Sequence, residues 1–187
     1  MEKSIIRESI AERARGLQEE YLKEASERIT GLVIGTEQFK QAEGIFVYIS
    51  LRNEPETRGI IEEAWRRGKR VYVPRCRKKP IMEAVLLESF DQLEEKKFGL
   101  LEPGEKFPGA EPCCMDLALI PCVSADTEGG RIGHGAGYYD NFLRDFSGFK
   151  LCLCYGQLLS SNIPMDENDI KMDALIDENG FHKSLKK

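Results

Sequence analysis

Residues 45 to 73 read IFVYISLRNEPETRGIIEEAWRRGKRVYV, and the order of residue types along this stretch decides the fold. Ile45 to Ile49 is an unbroken apolar run without polar alternation, the pattern of a strand covered on both faces. A helix opens near Thr57, places Ile60, Ile61, Ala64 and Trp65 at helical spacing, and ends at Gly68. Val71 to Val73 is a second short apolar run. Strand, helix, strand in this order is the repeating unit of a parallel sheet.

The pattern continues outward from this unit. Val85 to Leu87, Leu117 to Ile120 and Leu151 to Cys154 are further short apolar runs. Upstream, Ile6, Ile10, Ala14 and Leu17 form one helical stripe, and Gly16 marks a break before a second helix expected to run through Leu32. The stretch 96–114, with three prolines and three glycines (Gly99, Pro103, Gly104, Pro108, Gly109, Pro112), reads as an irregular connection. The expected fold is α/β: a three-layer sandwich with a mostly parallel sheet and N-terminal helices, formed as one domain over residues 1–187. Ligands are expected beyond the carboxyl ends of the strands.

Composition narrows the function. With 41% hydrophobic and 32% charged residues and no apolar run of bilayer length, the chain reads as a globular protein without a membrane partner. Its first residues lack a secretory signal, and a cytoplasmic location is expected. The six cysteines form no Cys-x-x-Cys pair and only two histidines exist, so reduced core thiols are expected rather than a structural metal. A net charge of −5 argues against nucleic-acid binding. An anionic ligand must therefore meet locally clustered cations, for which Arg75, Arg77, Lys78 and Lys79, together with Lys3, Arg7 and Arg131, are available.

The most specific segment is Gly130-Arg131-Ile132-Gly133-His134-Gly135-Ala136-Gly137-Tyr138-Tyr139-Asp140. Glycines at alternate positions let a backbone turn its N–H groups inward and admit a ligand closely. Arg131 adds a planar fork of donors suited to phosphate oxygens. Tyr138 to Phe146 has helical spacing, so the loop would present phosphates to a helix N-terminus, with Asp140 in reach of a magnesium ion riding on them. No Lys-Ser or Lys-Thr closes the run, which excludes a P-loop, and the glycine spacing is not that of a dinucleotide fingerprint. The bland alternative is a glycine-rich surface turn.

With its surroundings, the loop resembles the 5-formyltetrahydrofolate cyclo-ligase family. Lys3 and Arg7 match the family's Lys-x-x-x-Arg, Pro55-Glu56-Thr57 its Glu-Thr helix opening, and Val73-Pro74-Arg75 its Val-Pro element. Gly99 to Pro103 matches Gly-x-x-Glu-Pro, Pro121 to Asp126 leads into the glycine loop at the family's spacing, and Ile163-Pro164 with Asp169 and Asp173 matches its tail. The resemblance implies a Rossmann-like three-layer fold and Mg-ATP-dependent conversion of 5-formyltetrahydrofolate to 5,10-methenyltetrahydrofolate with release of ADP and phosphate. It implies that ATP binds to Lys3, Arg7 and the run Arg131, Ile132, Gly133, His134, Gly135, Ala136, Gly137, Tyr138 and Tyr139, with Arg131, Tyr138 and Tyr139 as the catalytic residues. Asp140 and Asp169 would hold magnesium (Mg2+), and Leu51, Glu56, Phe98 and Tyr138 would face the folate. His134 stands where arginine is common, Ala136 where Gly or Lys is common, and Ala125 where Phe is common. The alternative is a catalytically weak relative that binds nucleotide or folate without efficient turnover. A monomer or weak homodimer is expected.

Overall fold

The computed structural model describes residues 3–96 and 99–184. Helix α1 (Lys3–Arg15) and helix α2 (Glu19–Gly35) meet at the break predicted at Gly16. Ile6 and Ile10 are buried, and Ala14 and Leu17 pack against the core, as the stripe requires. Rather than stopping at Leu32, α2 continues to Gly35, where Thr36 ends it and caps the single-turn helix α3 (Glu37–Gln41). The Thr36 hydroxyl donates to the Val33 carbonyl at 2.7 Å and accepts the Phe39 N–H at 3.1 Å, satisfying one orphan group of each helix.

Strand β1 (Gly44–Val47), helix α4 (Arg58–Arg66) and strand β2 (Arg70–Cys76) form the predicted unit, with the two strands parallel. Strand β3 (Met82–Leu86) folds back antiparallel on β2, so this run, read as one more member of a parallel sheet, departs from that pattern. Strands β4 (Leu93–Glu95) and β5 (Leu101–Pro103) pair as a separate hairpin, and β6 (Gly109–Ala110) adds to β3. The segment expected to be irregular therefore carries β5 and β6. Beyond it come β7 (Leu117–Ile120), the short strands β8 (Ser124–Ala125) and β9 (Arg131–Ile132), helix α5 (Tyr138–Leu143), β10 (Phe149–Leu153), β11 (Ala174–Asp177) and β12 (Gly180–Lys183). Helix α5 stops at Leu143 instead of reaching Phe146.

The main sheet has the order β12-β11-β10-β7-β1-β2-β3-β6, and its five central strands, from β11 to β2, are parallel. The β1–α4–β2 crossover moves toward one edge and the β7–α5–β10 crossover toward the other. Right-handed crossovers in opposite directions leave on opposite faces of a sheet. Helix α4 packs with α2 on one face. On the other, Phe142 of α5 stacks on Phe46 of β1 with ring centroids 4.5 Å apart. Among the described residues no helix is long and apolar enough to cross a membrane.

Strand order reverses at β1, which has β2 on one side and β7 on the other. The crevice outside the carboxyl ends of these strands is a topological switch point, where open α/β sheets bind ligands. The chain leaving β7 enters the β8–β9 hairpin, whose two-residue strands are too short to hold it closed alone. Asp126, 4% exposed, does so. Its Oδ1 accepts the N–H groups of Glu128 (3.0 Å) and Gly130 (2.8 Å), and its Oδ2 accepts that of Ile163 (2.6 Å). Gly130 is required here by space, because a Cβ would lie 2.7 Å from the Asp126 carboxylate and 2.8 Å from Ile163.

Two stability predictions follow from these close approaches. A Cβ on Gly44, at the start of the central strand, would sit 2.1 Å from the Cys114 carbonyl oxygen, so Gly44→Ala should lower unfolding free energy in urea by about 3 kcal/mol. A loss below about 1 kcal/mol would show that the strand entry shifts freely. Asp126→Ala should cost about 3 kcal/mol or more, because it removes three charge-assisted bonds and strands buried amides. Native-state hydrogen exchange should then be faster at Gly130 and Ile163, and unchanged exchange there would refute the role of Asp126.

Candidate functional site

Arg131 leaves β9 at the head of the glycine loop with its side chain only 3% exposed. Its Nη2 donates to Asp140 Oδ1 at 2.8 Å, and its guanidinium lies 5.7 Å from the centroid of the Tyr139 ring. The buried Nε has no hydrogen-bond partner. Gly133 lies against this group, since a Cβ there would be 3.1 Å from Arg131 Nη1. Gly135 and Gly137 take left-handed φ angles of +87° and +75°, which side-chain-bearing residues rarely adopt. Among the described residues, no partner takes the backbone N–H groups of His134 to Gly137. The loop thus has free amide donors above and an under-satisfied guanidinium below, and it runs into the first turn of α5.

Helix α1 delivers two more cations. Arg7 Nε donates to the Gly133 carbonyl at 2.8 Å, laying the guanidinium along the loop. Lys3 Nζ pairs with Asp166 at 2.7 Å and with Asp169. Burial alone would lower the Lys3 pKa, but its bonds to these carboxylates outweigh that and raise it. The Lys3 hydrogen bond in turn holds Asp166 below the usual carboxylate range. Asp169 also accepts the Asp166 N–H at 2.7 Å, and Asp140 Oδ1 accepts the Ile170 N–H at 3.2 Å. Residues far apart in the chain, Lys3, Arg7, Arg131, Asp140 and Asp169, are therefore gathered around one loop.

These residues suit a magnesium-bound polyphosphate. Among the described residues the Arg131 Nε and the loop amides have no partner, so they are donors that an anion could take. Among the described residues no cluster of three or more His, Cys, Asp or Glu could hold a metal by itself. Magnesium does not need one, since it keeps several waters and is held by one or two carboxylates plus phosphate oxygens.

A cleft of about 460 Å³ opens beside the loop, lined by Arg7, Leu51, Glu54, Cys122, His134 and Leu158 among others. It occupies the switch-point crevice, with the chain after β1 on one wall and the chain after β7 on the other. Leu51 and Glu54 also line a broader cleft of about 640 Å³ between α2 and the segment 50–59. The smaller cleft is the better functional candidate, because it alone joins the glycine loop. Glu54 was not singled out from the sequence, where it is one of two glutamates flanking Pro55. It is buried, its Oε2 accepts the Leu51 N–H at 2.9 Å, and His134 Nε2 lies 3.9 Å from its Oε1.

Other expected residues take different places. Glu56 Oε1 accepts Ser50 Oγ (2.8 Å) and the N–H groups of Thr57 (3.0 Å) and Arg58 (2.9 Å), so it caps α4 at the edge of the broader cleft. Phe98 lies outside the described residues. Tyr138 donates to the Arg77 carbonyl at 3.3 Å, tying the loop's end to the β2–β3 turn. Burial pushes the Tyr139 phenol well above its ordinary pKa, which keeps it a proton-bearing donor. Of the suggested cation cluster, Arg75 is buried against Glu83 and the carbonyls of Gly104 and Phe107, and Arg77 is paired with Glu83 and Glu105. Those two are structural; Lys78 and Lys79 are exposed on the turn. All six cysteines are free thiols, with Cys122, Cys152 and Cys154 buried.

Residues 1–178 match the 5-formyltetrahydrofolate cyclo-ligase family. A protein of Schizosaccharomyces pombe named a probable 5-formyltetrahydrofolate cyclo-ligase is 32% identical over 162 residues, covering 77% of this chain and 79% of its own. The 5-formyltetrahydrofolate cyclo-ligase of Mus musculus is 28% identical over 186 residues, with 92% of each chain covered. The solution structure of Aquifex aeolicus 5,10-methenyltetrahydrofolate synthetase superposes with a TM-score of 0.86 at 26% identity, covering 100% of this chain and 97% of that one. The chain therefore belongs to the 5-formyltetrahydrofolate cyclo-ligase family.

Proposed function

We propose that this enzyme converts 5-formyltetrahydrofolate to 5,10-methenyltetrahydrofolate with consumption of Mg-ATP. The observation that carries the nucleotide part is the buried Arg131 guanidinium, its Nε without a partner among the described residues, at the head of a loop whose amides are likewise unpartnered there, with Arg7 on the Gly133 carbonyl and Lys3 on Asp169. A formamide oxygen is a poor leaving group, so the reaction needs activation. Bound Mg-ATP supplies the phosphoryl group that makes this oxygen leave as phosphate when the folate's N10 closes the ring. The protein's part is positioning and charge neutralisation, which is most of what phosphoryl transfer asks of an enzyme.

The residues divide this work. Lys3, Arg7, Arg131 and the amides of residues 133–137 hold the phosphates, and Asp140 and Asp169 hold magnesium beside them. Leu51 and Glu54 form the folate wall at the carboxyl end of β1, where the buried carboxylate offers Oε1 to an N–H donor of the substrate. Tyr139, whose phenol burial pushes further above its ordinary pKa, contributes a donor and a ring face next to Arg131.

Mixing the protein with Mg-ATP and 5-formyltetrahydrofolate should produce the methenyl chromophore, and its absence would sink the proposal. Arg131→Ala should reduce turnover by about a hundredfold or more, as loss of a preorganised donor to developing phosphate charge does. Near-normal turnover in that variant would remove Arg131 from the machinery. Asp140→Asn should raise the magnesium concentration for half-maximal activity at least about tenfold, because a hard cation wants the carboxylate charge. A magnesium titration that overlays the parent's would show that Asp140 serves only Arg131.

A further inference from the structure

His134 lies on the glycine loop between Gly133 and Gly135. It is 71% exposed and stands at the mouth of the smaller cleft, 3.9 Å from a Glu54 carboxylate that is itself 9% exposed. The two belong to different walls: His134 to the loop whose backbone faces the phosphates, Glu54 to the connection after β1. Other charged groups around the cleft are already engaged. Arg7 donates to the Gly133 carbonyl, Arg52 pairs with Glu19, and Arg131 is bound to Asp140 beneath the loop. Cys122, the titratable group from the β7 side, is a buried thiol. Among the described residues, His134 is the one basic side chain paired with Glu54.

We infer that His134 is a positioning residue that couples the two substrate sites as a latch, by holding Glu54 and the β1–α4 connection against the glycine loop. The inference rests on the proposed function, since it assumes nucleotide on the loop and folate against Glu54. Glu54 Oε2 is anchored by the Leu51 amide, so the pair acts through Oε1 and through the loop backbone on the other side. A nucleotide that orders residues 133–137 fixes His134, and His134 then fixes Glu54 for the folate; linkage makes the effect reciprocal.

The experiment is calorimetric titration of 5-formyltetrahydrofolate with and without a non-hydrolysable ATP analogue and magnesium. In the parent protein the analogue should tighten folate binding by about fivefold or more. His134→Arg, which keeps a basic side chain opposite Glu54, should retain the coupling, and His134→Ala should show none. Coupling that persists in His134→Ala, or that is lost in His134→Arg, overturns the latch. Failure of either ligand to bind by itself overturns the proposed function and the latch with it, whereas binding of both without residue-134-dependent coupling overturns the latch alone.

Discussion

The buried Arg131 guanidinium is the constraint around which the rest of the site is arranged. Taking such a cation out of water costs several kcal/mol unless it is paired and hydrogen-bonded. Asp140 and the Tyr139 ring offset part of that cost, and the Nε is left without a partner. Several features exist to hold this arrangement. Asp126 closes the hairpin that delivers Arg131, Gly133 lies against the guanidinium, where a Cβ would come within 3.1 Å of Nη1, and the Ile170 amide fixes the Asp140 carboxylate. Asp140 lies in the first turn of α5, so the same ion pair ties that turn to the end of β9.

The second requirement is charge balance across remote parts of the chain. A protein of net charge −5 does not attract anions in general, so an anion site must be built locally. Here two of the three cations are matched by carboxylates, Lys3 by Asp166 and Asp169 and Arg131 by Asp140, while Arg7 lies on the Gly133 carbonyl. A ligand carrying both phosphates and a divalent cation suits this arrangement better than either alone. The phosphates take the cations, the metal takes the carboxylates, and no buried charge is left unpaired by the exchange. The ion pairs also clamp helix α1 to the segment around residues 166–169, so the first turn of the chain and its last long loop meet at the switch point.

Much of this was legible in the sequence, for stated reasons. The doubly covered strands β1, β2, β7 and β10 appear as unbroken apolar runs because both faces are packed, and Gly16 and Gly68 mark helix ends because little else stops a helix so sharply. The β11 strand, Ala174–Asp177, is fully buried yet was not read, because its four residues end in Asp177 and follow a long polar stretch. That β3 runs antiparallel is set by the short turn from β2, not by its own composition. Within the site, the glycine loop was readable because backbone geometry restricts residue type, whereas Glu54 was not, because nothing local separates it from Glu56. Only the fold buries one and leaves the other to cap a helix. Arg75 illustrates the reverse: an arginine among basic neighbours, it is consumed by Glu83 and two carbonyls.

The glycine loop separates what geometry fixes from what chemistry can vary. Position 133 is crowded by the Arg131 guanidinium, and positions 135 and 137 are fixed by their left-handed φ angles. Between them, His134 is exposed and Ala136 half-buried, with no such constraint on either side chain. The two departures in the loop from the family's common residues fall at these intervening positions, where they leave the backbone donors and the Arg131 pocket unchanged. What they change is the side chain presented to the neighbouring cleft, and residue 134 meets Glu54 there. A loop of this design can keep one ligand's geometry constant through its backbone while its alternate side chains tune how the second ligand is held.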